Sequence, residues 1–326
     1  MTWVLFAATA AVIVAGGTRL ARYGDIIGRV SGLGGSWVGA VLLAATTSLP
    51  ELFTGFGATA LADLPDIAAG DVLGSCMFNL LILSLMDAVQ PERLSARAHP
   101  GHTMAIALGG VLVSLAGIGL VAGPRLPVLG WVGLPSVLLL VVYVAAVRVL
   151  LALEQRRVPA TGIDPHDGDL TLADATGRYA AAAVFVVARA LALPSLAAEI
   201  AADLGVGQAL VGSVLVAATT SLPEIVVSLA AVRMGALDLG IANVLGSNLF
   251  NLAVLGLDDV FYRKGPLLSA VAPAHLLTVL AVLLMCAVFL VGVTQQVATK
   301  RFRVGWDTAA LGLVWVATMC LVYAAR

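Results

Sequence analysis

The sequence predicts an all-α integral membrane protein: ten transmembrane helices arranged as two inverted five-helix repeats, with helices two and seven broken. Three observations lead there. Of the 326 residues, 60% are hydrophobic and only 11% charged, where a soluble globular chain carries roughly a quarter charged residues. The apolar residues fall in runs of about 20, the length an α-helix needs to cross roughly 30 Å of hydrocarbon. An octapeptide from the first half recurs unchanged in the second.

Ten apolar runs begin near Trp3, Gly35, Ile67, His102, Pro127, Tyr179, Gln208, Leu239, Leu268 and Asp307. Their apolarity is continuous, without the period-two alternation of barrel strands. The first run is followed, not preceded, by its positive charges Arg19 and Arg22, so it reads as a retained helix and not a signal peptide. With ten spans, thirteen basic residues fall on one face (Arg19 to Arg29, Arg93, Arg97, Arg148 to Arg157, Arg178, Arg233 and Lys300 to Arg303). Four (Arg125, Arg263, Lys264 and Arg326) fall on the other, and Arg189 lies inside a run. The positive-inside rule puts the first face in the cytoplasm and both termini outside. Arginine outnumbers lysine sixteen to two, since only Lys264 and Lys300 are lysines. That bias suggests the inner membrane of a bacterium with a GC-rich genome. A net charge of −1 gives no case for nucleic acid. Cys76, Cys286 and Cys320 lie in apolar runs with no paired motif and read as packing residues.

Ala-Ala-Thr-Thr-Ser-Leu-Pro-Glu spans Ala44 to Glu51 and again Ala217 to Glu224, an offset of 224 − 51 = 173. Each copy is followed by a second match, Val72 to Leu80 against Val244 to Leu252, at an offset of 172. An odd number of helices per repeat makes the second copy enter the membrane from the opposite side. The expected organisation is a first repeat over 1–153, a cytoplasmic linker over 154–178 and a second repeat over 179–326.

Thr46 lies eleven residues into the second run, about 16 Å at 1.5 Å per residue, which is mid-bilayer depth. Pro50 and Pro223 free the carbonyls one turn earlier, near Thr46 and Thr219. Irregular backbone is tolerated at that depth only inside protein or facing a wet cavity. With the hydroxyls of Thr47, Ser48, Thr220 and Ser221 and the carboxylates of Glu51 and Glu224, these oxygens form a cage suited to a hard cation such as Ca²⁺, which takes six to eight oxygen ligands. The same Ser-Leu-Pro-Glu spacing also fits a capping box. A mid-membrane carboxylate costs at least about 2.5 to 3.5 kcal/mol against about 1 kcal/mol returned by a cap, which favours ion binding. In the second motif, Ser75 with Asn79 and Ser247 with Asn251 are four residues apart on one helix face and can look toward the carboxylates. Gly74 and Gly246 permit close helix approach.

These residues resemble the paired signature repeats of the calcium/cation antiporter superfamily, which includes the sodium/calcium exchangers. The family pattern, Gly-Thr-Ser-x-Pro-Glu followed by Gly-Asn-x-x-Gly-Ser-Asn-x-Phe-Asn, is met at Thr46 to Glu51 with Gly70 to Asn79, and at Thr219 to Glu224 with Ala242 to Asn251. The resemblance implies an antiporter, not an enzyme. Glu51 and Glu224 would be the chief Ca²⁺ ligands, helped by backbone oxygens at Thr47 and Thr220. Ser48, Ser75, Asn79, Ser221, Ser247 and Asn251 would line adjoining Na⁺ or H⁺ sites, and helices one and six would slide to alternate access. The Thr-Ser-x-Pro-Glu form tilts the coupling ion toward Na⁺, with H⁺ the alternative. Departures are Thr46 and Thr219 in place of glycine, Asp71 where the other repeat has Asn243, and Cys76 where it has Asn248. Asp71, one turn from Ser75 toward the outer face, reads either as a vestibule ligand or as an interface residue.

The expected partners are Ca²⁺, Na⁺ or H⁺ and the lipid bilayer, with no cofactor. Two rival classes are a cation channel, since paired carboxylates also filter ions, and a hydrolase using Ser48 or Ser221, which lacks a His or Lys base in a matching position. Asp164, Asp167, Asp169 and Asp174 fail the EF-hand spacing and read as a solvated loop. Arg189 is expected to snorkel. The four histidines show no zinc spacing, and Asp87, Asp258 and Asp259 are expected at the surface, ending their helices.

Overall fold

Each apolar run becomes a helix because nothing else satisfies the backbone where water is absent. The computed structural model describes residues 1–30, 43–154, 171–300 and 302–324. The long helices are α1 (Thr2–Val30), α4 (Pro65–Val89), α5 (Pro100–Ala122), α6 (Leu134–Glu154), α7 (Leu172–Ala190), α12 (Leu237–Phe261), α14 (His275–Gln295) and α15 (Trp306–Ala324). Shorter pieces lie between them: α2 (43–47), α3 (Leu49–Phe56), α8 (Leu193–Leu204), α9 (Gln208–Val211), α10 (Ala217–Thr220), α11 (Leu222–Arg233) and α13 (Leu267–Ala270). Among the described residues eight helices are long and apolar enough to span a membrane, and the bent pair Gln208–Thr220 and Leu222–Arg233 makes up to nine. The expected start of the second run, Gly35, lies outside the described residues, as does most of the expected linker with Asp164, Asp167 and Asp169.

Helix starts agree with the runs within about two residues at Thr2, Pro65, Pro100, Gln208, Leu237 and Trp306. Three do not. The helix of the fifth run, α6, begins at Leu134, not Pro127, because Gly130 at φ +71° turns a two-residue antiparallel pair, β1 (Val128–Leu129) with β2 (Val132–Gly133). These strands are a small exception to the all-α expectation. The ninth run begins as a helix at His275, not Leu268, since Pro273 interrupts it after the single turn of α13. Helix α7 starts seven residues before Tyr179, and Asp174 belongs to its first turn and not to a loop. The Thr171 hydroxyl accepts from the Asp174 N–H at 3.1 Å, a cap that a count of apolar residues passes over.

Helices α4 and α12, which carry the second motif of each half, pack on one another at the centre and are the most buried of the spans. The main core surrounds them with Leu73, Met77, Leu80 and Leu83 against Val244, Leu249, Leu252 and the α14 residues Val282, Met285 and Phe289. Helices α1 and α7 lie along each other on one flank, through Leu20, Ala182 and Val186. Within that flank Gly16 lies against Val186, and Gly17 brings α1 against Pro223 of α11. Arg189 is exposed, which fits a snorkelling side chain.

The acids that end the central helices, Asp87, Asp258 and Asp259, are buried, contrary to the surface placement expected of them, and Asp87 and Asp259 supply acceptors to loop N–H groups that have no helical partner. Asp87 accepts from Leu94 N at 2.7 Å, Gly305 N at 2.6 Å and Thr308 Oγ1 at 2.7 Å, and pairs with Lys300 Nζ at 3.0 Å. Its counterpart in the second half, Asp259, accepts from Gly133 N at 2.9 Å and Leu267 N at 2.6 Å. Asp87→Asn turns one acceptor into a donor facing N–H groups and removes the charge opposite Lys300. The expected cost is about 2 kcal/mol, on the scale of one hydrogen bond to a charged group, seen as a lower thermal midpoint in detergent with the secondary structure unchanged.

Candidate functional site

Both copies of the octapeptide break at the same residue. Ser48 (φ −89°, ψ 14°) separates α2 from α3, and Ser221 (φ −86°, ψ 1°) separates α10 from α11, where the axis bends by 44°. Pro50 and Pro223 follow in the first turn of each new half-helix, where a missing N–H costs nothing. Neither serine side chain caps its own helix. Ser48 Oγ donates to Glu224 Oε1 at 3.0 Å, and Ser221 Oγ donates to Glu51 Oε1 at 3.3 Å. The capping-box spacing is therefore not used as one, and the hydroxyls reach across to the glutamate of the opposite half.

The same exchange repeats in the next layer. Thr47 Oγ1 lies 3.4 Å from Ser247 Oγ, and Ser75 Oγ lies 3.4 Å from Thr220 Oγ1. Asn248 Nδ2 donates to the Cys76 carbonyl at 3.3 Å, and the Cys76 thiol points at the Asn248 carbonyl at 3.8 Å. Contacts that trade places between two homologous segments are those of a pseudo-two-fold axis, in the way an isologous dimer interface is built.

All ten residues put forward as ligands (Glu51, Glu224, Thr47, Thr220, Ser48, Ser221, Ser75, Ser247, Asn79 and Asn251) are fully buried. Glu51 lies within Coulombic range of Glu224 and of Asp71. Ser247 Oγ adds a long 3.5 Å contact to Glu224 Oε1. One oxygen of each glutamate, Glu51 Oε2 and Glu224 Oε2, has no hydrogen-bond partner, nor have the amide atoms of Asn79 and Asn251. A buried polar atom without a partner costs about 1 to 3 kcal/mol, more when charged. Four of these six atoms are oxygens, one each on Glu51, Glu224, Asn79 and Asn251, and two are amide nitrogens, which donate, so the set is an acceptor-rich cradle of the kind that could hold a dehydrated cation. Asp71 accepts from Thr220 Oγ1 at 2.8 Å and so touches this set, whereas Asn243 bonds Ser228 at 3.1 Å and lies apart from it.

Close backbone approach makes the cradle. The stretch Gly212–Val216 is a π-turn, an insertion that recurs at functional helices, and it packs against Gly70 and Gly74 of α4. Sequence spacing singled out the residues gathered here but not this turn. Asp258 was also missed as anything but a surface residue. Lining up the halves beyond the matched nonapeptide sets it opposite Met86, a signal the sequence did contain.

Outside this site, His99, His102 and Asp238 bring ring nitrogens and a carboxylate within 4.8 Å of one another. His99 Nδ1 accepts from Gly101 N at 3.0 Å and His102 Nδ1 from His99 N at 3.4 Å. A ring nitrogen that accepts leaves the proton on the other one, so the pair caps α5 and does not present free lone pairs.

A family model described as sodium/calcium exchanger protein matches residues 1–151 and 175–324. The chain is 31% identical to the sodium/calcium exchanger MaX1 of Methanosarcina acetivorans over 121 residues, 37% of this chain and 32% of that protein, so the match spans about a third of MaX1. Its fold is similar to the crystal structure of the H⁺/Ca²⁺ exchanger CAX (TM-score 0.75, 11% identity, 99% of this chain and 85% of that one). It is also similar to the sodium-calcium exchanger NCX_Mj (TM-score 0.64, 20% identity, 98% and 97%). With both halves taken in by the one model, this chain belongs to the sodium/calcium exchanger protein family, a family of membrane ion exchangers and not of enzymes.

Proposed function

We propose that the chain is a secondary active antiporter that exchanges Ca²⁺ for Na⁺ across the membrane by alternating access. The observation that carries this reading is the reciprocal pair Ser48–Glu224 and Ser221–Glu51, which fixes two buried carboxylates from homologous segments around one point. Glu51 and Glu224 are the divalent ligands, with Thr47 and Thr220 beside them. Ser48, Ser221, Ser75, Ser247, Asn79 and Asn251 complete the oxygen shell for one Ca²⁺ or several Na⁺. Two facing carboxylates in low dielectric repel and are poorly solvated, so the empty site crosses slowly. Charge compensation by either cargo removes that barrier, and movement allowed only to loaded forms is antiport.

The same reading arranges the chain as ten spans in two inverted repeats, 1–153 and 179–326 joined by a cytoplasmic segment, with the second repeat extended back to Leu172 by the observed helix. Both termini lie outside the inner membrane of a bacterium, on the strength of the arginine distribution. A Ca²⁺/H⁺ exchange is the second reading, favoured by the fold likeness to an H⁺/Ca²⁺ exchanger over 99% of the chain. Reconstitution in liposomes separates them. ⁴⁵Ca²⁺ uptake is expected to require an outward Na⁺ gradient and to ignore a pH gradient. The converse selects proton coupling, and uptake with no counter-ion at all rejects antiport in favour of a channel.

A further inference from the structure

One helical turn beyond the glutamates the two halves stop being alike. Gly55 follows Glu51 by four residues, on the same face of α3. The Asp258 carboxylate of α12 lies directly over it, so close that a Cβ on Gly55 would collide with both carboxylate oxygens. Asp258 is fully buried, and neither oxygen has a hydrogen-bond partner. It lies within Coulombic range of Asp71 and Asp259. Asp259 is occupied by its two backbone donors. Asp71 Oδ2 has no partner, nor has Oγ1 of Thr54, which is fully buried beside Gly55. The two Asp258 oxygens over Gly55 and Asp71 Oδ2 are thus three partnerless carboxylate oxygens on acids within Coulombic range of each other, and Thr54 Oγ1 is a fourth partnerless oxygen on the turn of α3 that Asp258 covers.

The offsets of 173 and 172 place Val227, Ser228, Asn243 and Met86 at the equivalent positions of the other half. There Asn243 Nδ2 donates to Ser228 Oγ at 3.1 Å, and the buried Met86 thioether packs toward Gly240 close to the Ser228 carbonyl. These four residues carry no charge, the Asn243 amide Oδ1 is the one partnerless oxygen of their side chains, and the Met86 methyl stoppers that mouth. The other is acidic. A fully buried carboxylate without a partner is costly enough to mark a function, and side chains that offer only acceptors call for a cation.

We propose that Asp258, Asp71 and Thr54 form an accessory site for a hard divalent cation, on one side only of the Glu51–Glu224 pair and one helical turn from it. The choice of cation rests on the antiporter reading above. The asymmetry of the two mouths does not. A divalent ion suits the set because two carboxylates and a hydroxyl provide up to five hard oxygens. An ion held there lies next to Glu51 and is positioned to replace, or be replaced by, the one in the main site.

The test is equilibrium dialysis of the purified full chain in detergent against ⁴⁵Ca²⁺, with each variant's thermal midpoint recorded. Wild type is expected to bind two Ca²⁺ per chain, the Asp258→Asn and Asp71→Asn variants one, Glu51→Gln/Glu224→Gln one, and the last combined with Asp258→Asn none. Asp258→Met, which copies the opposite mouth, is the second variant and is expected to match Asp258→Asn. Folded Asp258 variants that bind as many ions as wild type, with unchanged affinity, overturn the proposal and mark Asp258 as a packing residue. If Glu51→Gln/Glu224→Gln leaves the count unchanged while Asp258→Asn lowers it, the main-site assignment fails and the accessory site stands.

Discussion

Replacing either glutamate with glutamine, as Glu51→Gln or Glu224→Gln, is expected to lower Ca²⁺ transport by roughly 100-fold or more while the protein still inserts and folds. The substitution keeps the shape, and the hydroxyls of Ser48 and Ser221, which donate to the carboxylates at 3.0 and 3.3 Å, can rotate to suit an amide. What disappears is a negative charge against a divalent ion. At an effective dielectric of about 20, two unit charges 4 Å apart interact by about 4 kcal/mol, and each 1.4 kcal/mol is about tenfold in affinity. Even after allowance for the desolvation that the carboxylate no longer suffers, a loss of two or more powers of ten is the expected scale. ⁴⁵Ca²⁺ uptake into proteoliposomes, normalised to inserted protein, measures it. Uptake at the wild-type rate would remove these residues from the transport site.

Gly74→Ala is expected to destabilise the protein by about 3 kcal/mol or more. An added Cβ would meet Ser213 Cα and O at 2.6 Å and the Ala217 Cβ at 2.9 Å. Overpacking costs about 1 to 3 kcal/mol where side chains can yield, and more where they cannot. Here the obstacle is backbone, and that backbone is the π-turn leading into Thr220 and Ser221. Transport and thermal midpoint should therefore fall together. Gly110→Ala is the matched control: nothing lies within 4 Å of its added Cβ, so it should be neutral or, by helix propensity, stabilising by up to about 1 kcal/mol. If Gly74→Ala melts like Gly110→Ala, the close crossing of α4 over Gly212–Val216 is wrong.

The residues of the site were legible in the sequence because duplication writes them twice. Ser-Leu-Pro-Glu at mid-membrane depth has one reading when single and another when its twin sits 173 residues away. The orientation of Ser48 was not legible, since local spacing offers it its own helix and the preference for Glu224 comes from a segment 176 residues distant. The burial of Asp87 and Asp259 escaped for a related reason. A charge at a helix end is normally solvated, and only the loop N–H groups of Leu94, Gly305, Gly133 and Leu267 make it an interior acceptor. Helix starts failed where hydropathy and backbone chemistry part company, at the Thr171 cap and at Pro273.

The twin loop anchors at Asp87 and Asp259 bear on how such a molecule can work. Each fastens the last turn of a central helix to the chain beyond it, at opposite ends of the bundle, using carboxylates in place of disulfides or metal ions. A chelator or a reducing agent has nothing there to undo, and the central scaffold is braced at top and bottom. If the antiporter reading holds, alternation is to be sought where bracing is light, along the α1–α7 flank, where Gly17 rests on Pro223 like a runner on a smooth track.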